Sequence, residues 1–153
     1  KIMQQIGKVI VIGSVSVGKS QLIQRYVKNE FEDNPASTVG VSFYQKELLL
    51  NGVQTSMNLW DTAGEERTQS LTKIYYKNAM AAVVVFDLSN PESFDSIKFW
   101  IEQIKRNAAC PFVLVGNKCD KEKLVDDNEI KLAVDEIGCN YFETSAYSNS
   151  NVT

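Results

Sequence analysis

Residues Gly13-Ser14-Val15-Ser16-Val17-Gly18-Lys19-Ser20 set two glycines around four residues and follow the second with a lysine and a hydroxyl. Glycines let successive backbone N–H groups turn inward into an anion nest, and a helix that starts there adds the positive end of its dipole. Lys19 supplies a point charge for terminal phosphates, and Ser20 offers a hydroxyl to a magnesium ion. The apolar run Ile6 to Ile12 before the loop reads as a strand. Gln21 to Val27 after it repeats apolar residues at helical spacing. Strand, glycine-bounded loop, lysine, hydroxyl and helix form the phosphate-cradling pattern, and Gly13, Val15, Ser16, Val17, Gly18, Lys19, Ser20 and Gln21 are its candidate binding residues.

Two further groups of residues carry chemistry. Asp61-x-x-Gly64 follows about forty residues later at the end of a strand. A carboxylate there can hold magnesium through water, and a glycine N–H can approach a terminal phosphate closely. Asn117-Lys118-x-Asp120 suits a purine. A carboxylate accepts two hydrogen bonds from the N1–H and exocyclic amine of guanine, a donor pair that adenine lacks. Leaving that carboxylate unpaired is costly, and sites of this type discriminate by about 10⁴–10⁵. Lys118 can lay its aliphatic stem over the base. Backbone N–H groups of Ser145 and Ala146 would complete the pocket.

These groups need elements to position them. Val41 to Leu50 and Val53 to Leu59 read as strands joined by Asn51-Gly52, a strong hairpin signal. A helix is expected to begin in the polar segment after Trp60 and to run to about Lys77. Ala81 to Phe86 and Phe112 to Val115 are apolar without alternation, as strands covered on both faces are. One helix is expected from Asn90-Pro91-Glu92-Ser93 through Ile104, and another over Asp127 to Ile137 with Gly138 as its stop. Asn140 to Phe142 is a last short strand. The alternation predicts an α/β doubly wound sheet, mostly parallel with one antiparallel strand, and every polar group above falls at a strand's carboxyl end, where ligands bind in such sheets.

Composition narrows the chemistry. The 153 residues are 44% hydrophobic and 23% charged, as expected of one globular domain. Net charge is −3, with no basic run, which gives a nucleic-acid partner no electrostatic support. Cys110, Cys119 and Cys139 are unpatterned and read as reduced. Histidine is absent, which excludes a Ser–His or Cys–His nucleophile and a His-ligated metal.

Taken in order and spacing, Gly13–Ser20, Thr38, Trp60–Arg67, Asn117–Asp120 and Glu143–Ala146 resemble a Ras-superfamily small GTPase over nearly the whole chain. Ser37-Thr38-Val39-Gly40-Val41-Ser42-Phe43, Tyr75-Tyr76 and Glu92-Ser93-Phe94 look most like the Rab branch. The resemblance implies the P-loop GTPase fold with a six-stranded sheet, GTP/GDP and Mg2+ as cofactors, and a switch in vesicle traffic that cycles on the cytosolic face of endomembranes. Thr38 is then the switch I ligand of magnesium and γ-phosphate, which with Ser20 and Asp61 makes the metal set. Phe31 packs edge-on against guanine. Glu65, Lys19 and Thr38 are the catalytic candidates. Effectors, exchange factors and GTPase-activating proteins engage residues 32–45 and 62–77.

The chain also departs from the family. Glu65 stands where a glutamine usually orients the attacking water, and Val15 stands at a loop position normally held by a small residue. Both predict intact nucleotide binding with weak intrinsic and activator-stimulated hydrolysis. Thr68 replaces a phenylalanine of switch II. Tyr147 replaces the lysine of the base loop, with reduced base affinity as the expectation. The family's final amphipathic helix and prenylated tail do not follow Thr153, so the expectation is a G domain over residues 1–153 truncated before its last helix, with an exposed apolar sheet face, a lipidated tail or a further domain lying beyond. Two rival readings stand beside the switch: a nucleotide-holding interaction module without useful turnover, and a P-loop kinase. Against the kinase, Arg25, Arg67 and Arg106 form no cluster.

Overall fold

In β1 (Gln4–Ile12), the consecutive residues Val9, Ile10, Val11 and Ile12 are buried on alternate faces. Val9 and Val11 enter one core cluster, while Ile10 and Ile12 enter the other. β4 (Ala79–Asp87) repeats the pattern, with Val84 and Phe86 on one side and Val85 on the other. This double burial is why neither run alternates in polarity. The computed structural model describes residues 4–36, 38, 40–62 and 69–153.

Six strands form one sheet in the order β2-β3-β1-β4-β5-β6, completed by β5 (Phe112–Asn117) and β6 (Asn140–Glu143). β2 (Val41–Leu50) runs antiparallel to β3 (Val53–Thr62), and the remaining pairs are parallel. Asn51 and Gly52 both take positive φ, 49° and 79°, as the tight turn of a two-residue hairpin requires. The ladder carries β3 three residues past the expected Leu59: Ser42 pairs with Asp61 and Val41 with Thr62. Asp61 is therefore a strand residue, held by backbone pairing on both sides, since Val11 of β1 is its other partner.

Helices α1 (Lys19–Lys28), α2 (Gln69–Tyr76), α3 (Pro91–Asp95), α4 (Ile97–Asn107) and α5 (Asp127–Ile137) connect the strands. Against the single helix expected from Asn90, α3 and α4 are separate. The Ser96 hydroxyl bonds the Glu92 carbonyl at 3.1 Å, and the amide of Trp100 reaches the Ser96 carbonyl only at 3.4 Å. A serine that bonds back to the carbonyl four residues earlier competes with the helix ladder and bends it. Beyond the bend, Ile97, Trp100, Ile101 and Ile104 are buried together against β4. At these positions truncation to alanine typically costs about 2–5 kcal/mol.

The strand directions set the place of the site. β1, β3, β4, β5 and β6 end on one edge, where Gly13, Asp61, Asp87, Asn117 and Glu143 lie. β2 begins at that edge, which brings Thr38 there as well. The three cysteines are free, and no helix among the described residues is long and apolar enough to cross a membrane.

Candidate nucleotide-binding site

Gly13 leaves β1 at φ 150°, and a Cβ there would stand 2.1 Å from the carbonyl oxygen of Val85. Gly18 turns at φ 98°, where a Cβ would meet the Asn117 side chain at 2.4 Å. Only glycine lets the loop press this closely on two neighbouring strands. Val17 lies beneath the loop, 1% exposed within the core, so its side chain anchors the loop rather than facing the cavity. Gly18 precedes α1 and no side chain caps the helix, leaving first-turn N–H groups for an anion. Lys19 is buried and folds over the loop, donating to the carbonyls of Gly13 at 2.6 Å and Ser14 at 3.0 Å.

Beside this lysine, three oxygen donors meet. The Ser20 hydroxyl donates to Asp61 Oδ2 at 2.5 Å and lies 2.7 Å from the Thr38 hydroxyl. Asp61 is 1% exposed, and its Oδ1 lacks a well-formed hydrogen bond among the described residues. Burial pushes its carboxyl pKa up, against the lowering effect of Ser20 and the Lys19 charge. A buried carboxylate flanked by two hydroxyls is a hard oxygen set, and it fits magnesium.

Across the cavity, Asn117 is a tie rather than an open reader. It donates to the Val17 carbonyl at 2.9 Å and accepts from the Thr144 hydroxyl at 3.1 Å, so one side chain joins the phosphate loop, β5 and the segment after β6. Lys118 donates to the Ser16 carbonyl at 2.7 Å and pairs with Asp87 at 2.7 Å. Lys118 and Ser16 both hold left-handed backbone, φ 64° and 65°, a strained conformation that surrounding contacts must enforce. Asp120 accepts from the buried Ser145 hydroxyl at 2.5 Å, which aims its carboxylate. Gln21 receives the Glu32 amide at 3.1 Å.

One cavity of about 630 Å³, within the usual range for ligand sites, is lined by Val15, Ser16, Gly18, Lys19, Ser20, Gln21, Phe31, Thr38, Asn117, Lys118, Asp120 and Ala146. Gly13, Val17, Asp61 and Ser145 support that lining from behind. Gly64 and Glu65 lie outside the described residues, as do all the switch II positions from 63 to 68.

The Ras family model matches residues 8–153. The chain belongs to the Ras family. Its relatives include Ras-related protein RABA5e of Arabidopsis thaliana, 39% identical over 149 residues, which cover 95% of this chain and 68% of that protein. Ras-related protein Rab-13 of Canis lupus familiaris is 39% identical over 150 residues, covering 95% and 73%. Ras-related protein Rab-3A of Homo sapiens is 38% identical over 149 residues, covering 95% and 68%. This Ras-family chain is thus Rab-like, a GTP-binding switch of membrane traffic from a family of GTP hydrolases that use Mg2+ and work with effector, exchange and activating proteins.

Three residues of the site escape sequence reasoning. Asp87 ends β4 and grips Lys118; its place at a strand's carboxyl end was the available signal. Burial would raise its carboxyl pKa, but the hydrogen bonds from Lys118 and Ser89 outweigh burial and hold it low. Thr144 braces Asn117. Arg25 bonds the Ala146 carbonyl from α1, a contact 121 residues apart that no local pattern announces.

Proposed function

We propose that this chain binds GTP and GDP with magnesium and reads the γ-phosphate through Lys19, Ser20, Thr38, Asp61 and Gly64. The observation that carries the reading is a single cavity with an ammonium and an uncapped helix N-terminus at one end and Asp120, Lys118 and Ala146 at the other. That is the polarity of a purine nucleotide. Magnesium, when bound, neutralises phosphate charge; Ser20, Thr38 and Asp61 would hold it. Phe31 would flank the base. Partners would engage residues 32–45 and 62–77, where Phe43 is 63% exposed and packs edge-on against Trp60 at 4.4 Å. Nucleotide extracted from the purified protein should be GDP or GTP, and EDTA should speed its release. Protein recovered empty and indifferent to magnesium and guanosine nucleotides would sink the reading.

Hydrolysis is proposed to be slow. Val15 is 61% exposed at the cavity, so its branched side chain occupies space that a water-orienting residue and an activator's arginine would share. Glu65 can accept a hydrogen bond from water but cannot donate to the transferring oxygens. Single-turnover GTP hydrolysis by the V15G/E65Q double variant should exceed the parent by about tenfold or more, since an arginine finger alone contributes about 10³–10⁵. A parent that already turns over as fast as the double variant refutes this.

The same valine favours a second reading, a nucleotide-holding interaction module without useful turnover. Protease protection of residues 32–45 that differs between GTP and GDP supports the switch. Identical protection supports the module.

A further inference from the structure

Tyr147, expected only to weaken base binding, is 62% exposed, lines the cavity, and its ring meets Phe31 edge-on, with centroids 5.4 Å apart and planes at 81°. The two rings come from segments more than a hundred residues apart in sequence, and both segments are tethered to α1. Arg25 donates to the carbonyls of Ala146 at 2.8 Å and Tyr147 at 3.3 Å, and also to the Asn29 carbonyl at 3.1 Å that closes the helix. On the other side, Gln21 holds the amide of Glu32, the neighbour of Phe31. The planar guanidinium fork loses little freedom per bond formed, so the tyrosine backbone is fixed rather than merely near.

We propose that Phe31 and Tyr147 form a two-ring clasp, anchored through α1, that closes the purine end of the cavity and slows nucleotide escape. The inference rests on the guanine-nucleotide reading above and deepens it, making Tyr147 a ligand-contacting residue. It also reverses the expectation that losing the family's lysine weakens base binding: an aromatic ring replaces an aliphatic stem as a cover for a flat π system. Because the clasp acts on the base, it retards diphosphate and triphosphate equally, unlike any change at the phosphate loop.

The test follows release of tritiated GDP, and separately of a tritiated non-hydrolysable GTP analogue, from the full chain in magnesium under excess unlabelled nucleotide. Tyr147→Ala should speed release of both by about three- to tenfold, the worth of one aromatic contact. Tyr147→Phe, which keeps the ring, should keep release slow. Arg25→Met should approach the alanine variant. Phe31→Ala with Tyr147→Ala together should release no faster than the faster single variant, because either change opens the clasp. Release from Tyr147→Ala within twofold of the parent, or fully multiplicative single effects, overturns the clasp while leaving nucleotide binding standing. A parent chain that retains no guanosine nucleotide overturns both.

Discussion

Asp87 illustrates how much one side chain can hold. It accepts from Ser89 N–H at 2.8 Å and Ser89 Oγ at 2.6 Å while pairing with Lys118, and it is mostly buried. Removing one member of a fully buried pair costs 3–5 kcal/mol; with Lys118 a quarter exposed, Asp87→Ala should cost on the order of 2 kcal/mol in urea unfolding. The pH dependence has a definite sign. The folded carboxyl titrates below its ordinary 3.8, so its contribution is complete above that value and is lost as pH falls through the folded pKa. Asp87→Asn should flatten that part of the acid limb. At this scale the sequence was legible where a residue type has few alternative uses. Lys19 after two spaced glycines and Asp120 after Asn-Lys were expected at one site, and both line the same cavity. Asp87 and Arg25 could not be read, because a carboxylate after an apolar run or an arginine on a helix suits many ordinary surfaces, and only the fold brings Lys118 and Ala146 to them.

Elements were legible where burial or a cap leaves a mark in composition. β1, β4 and β5 declared themselves by continuous apolar runs, and α5 by its stop at Gly138, which takes φ 71°. The start of α5 is equally explicit: Asp126 accepts from the amides of Asn128 at 2.8 Å and Glu129 at 3.2 Å. Asp126→Ala should cost about 1 kcal/mol, read as a lower urea midpoint with unchanged slope. A loss well beyond about 2 kcal/mol would mean that the carboxylate does more than cap. The break between α3 and α4 was not legible. Its apolar residues keep helical spacing straight through Ser96, and the hydroxyl that bends the chain looks like any exposed serine until its carbonyl partner is known. The end of β3 was hidden for a related reason: Trp60-Asp61-Thr62 reads as a transition to loop, while cross-strand partners on both sides keep it extended.

At the scale of the whole molecule, Lys8 is a second residue through which pH acts on stability. Its ammonium sits 3.4 Å from the centroid of the Trp60 ring and donates to the carbonyls of Ile74 at 3.2 Å and Lys77 at 3.0 Å, fastening β1 to β3 and to the end of α2. Burial lowers its pKa to about 8 from 10.5. The unfolded chain therefore holds this proton over a window in which the folded protein has shed it, so Lys8 contributes a rise in unfolding free energy between about 8 and 10.5, opposed by the thiols and phenols whose pKa values burial raises. Chemical denaturation across that window should show the rise in the difference between the parent and Lys8→Met, which removes the thiol and phenol contributions common to both. A difference between the two proteins that is flat or falls there would show that the Trp60 face and the two carbonyls keep the lysine charged. The strand order carries one more consequence. β1 stands mid-sheet, whereas Thr144, Ser145 and Ala146, which in turn brace Asn117, aim Asp120 and line the cavity, follow it by more than a hundred residues. During synthesis the glycine loop therefore emerges long before the far end of the cavity exists, so on the proposed reading a growing chain could not select its nucleotide by base until β6 has left the ribosome.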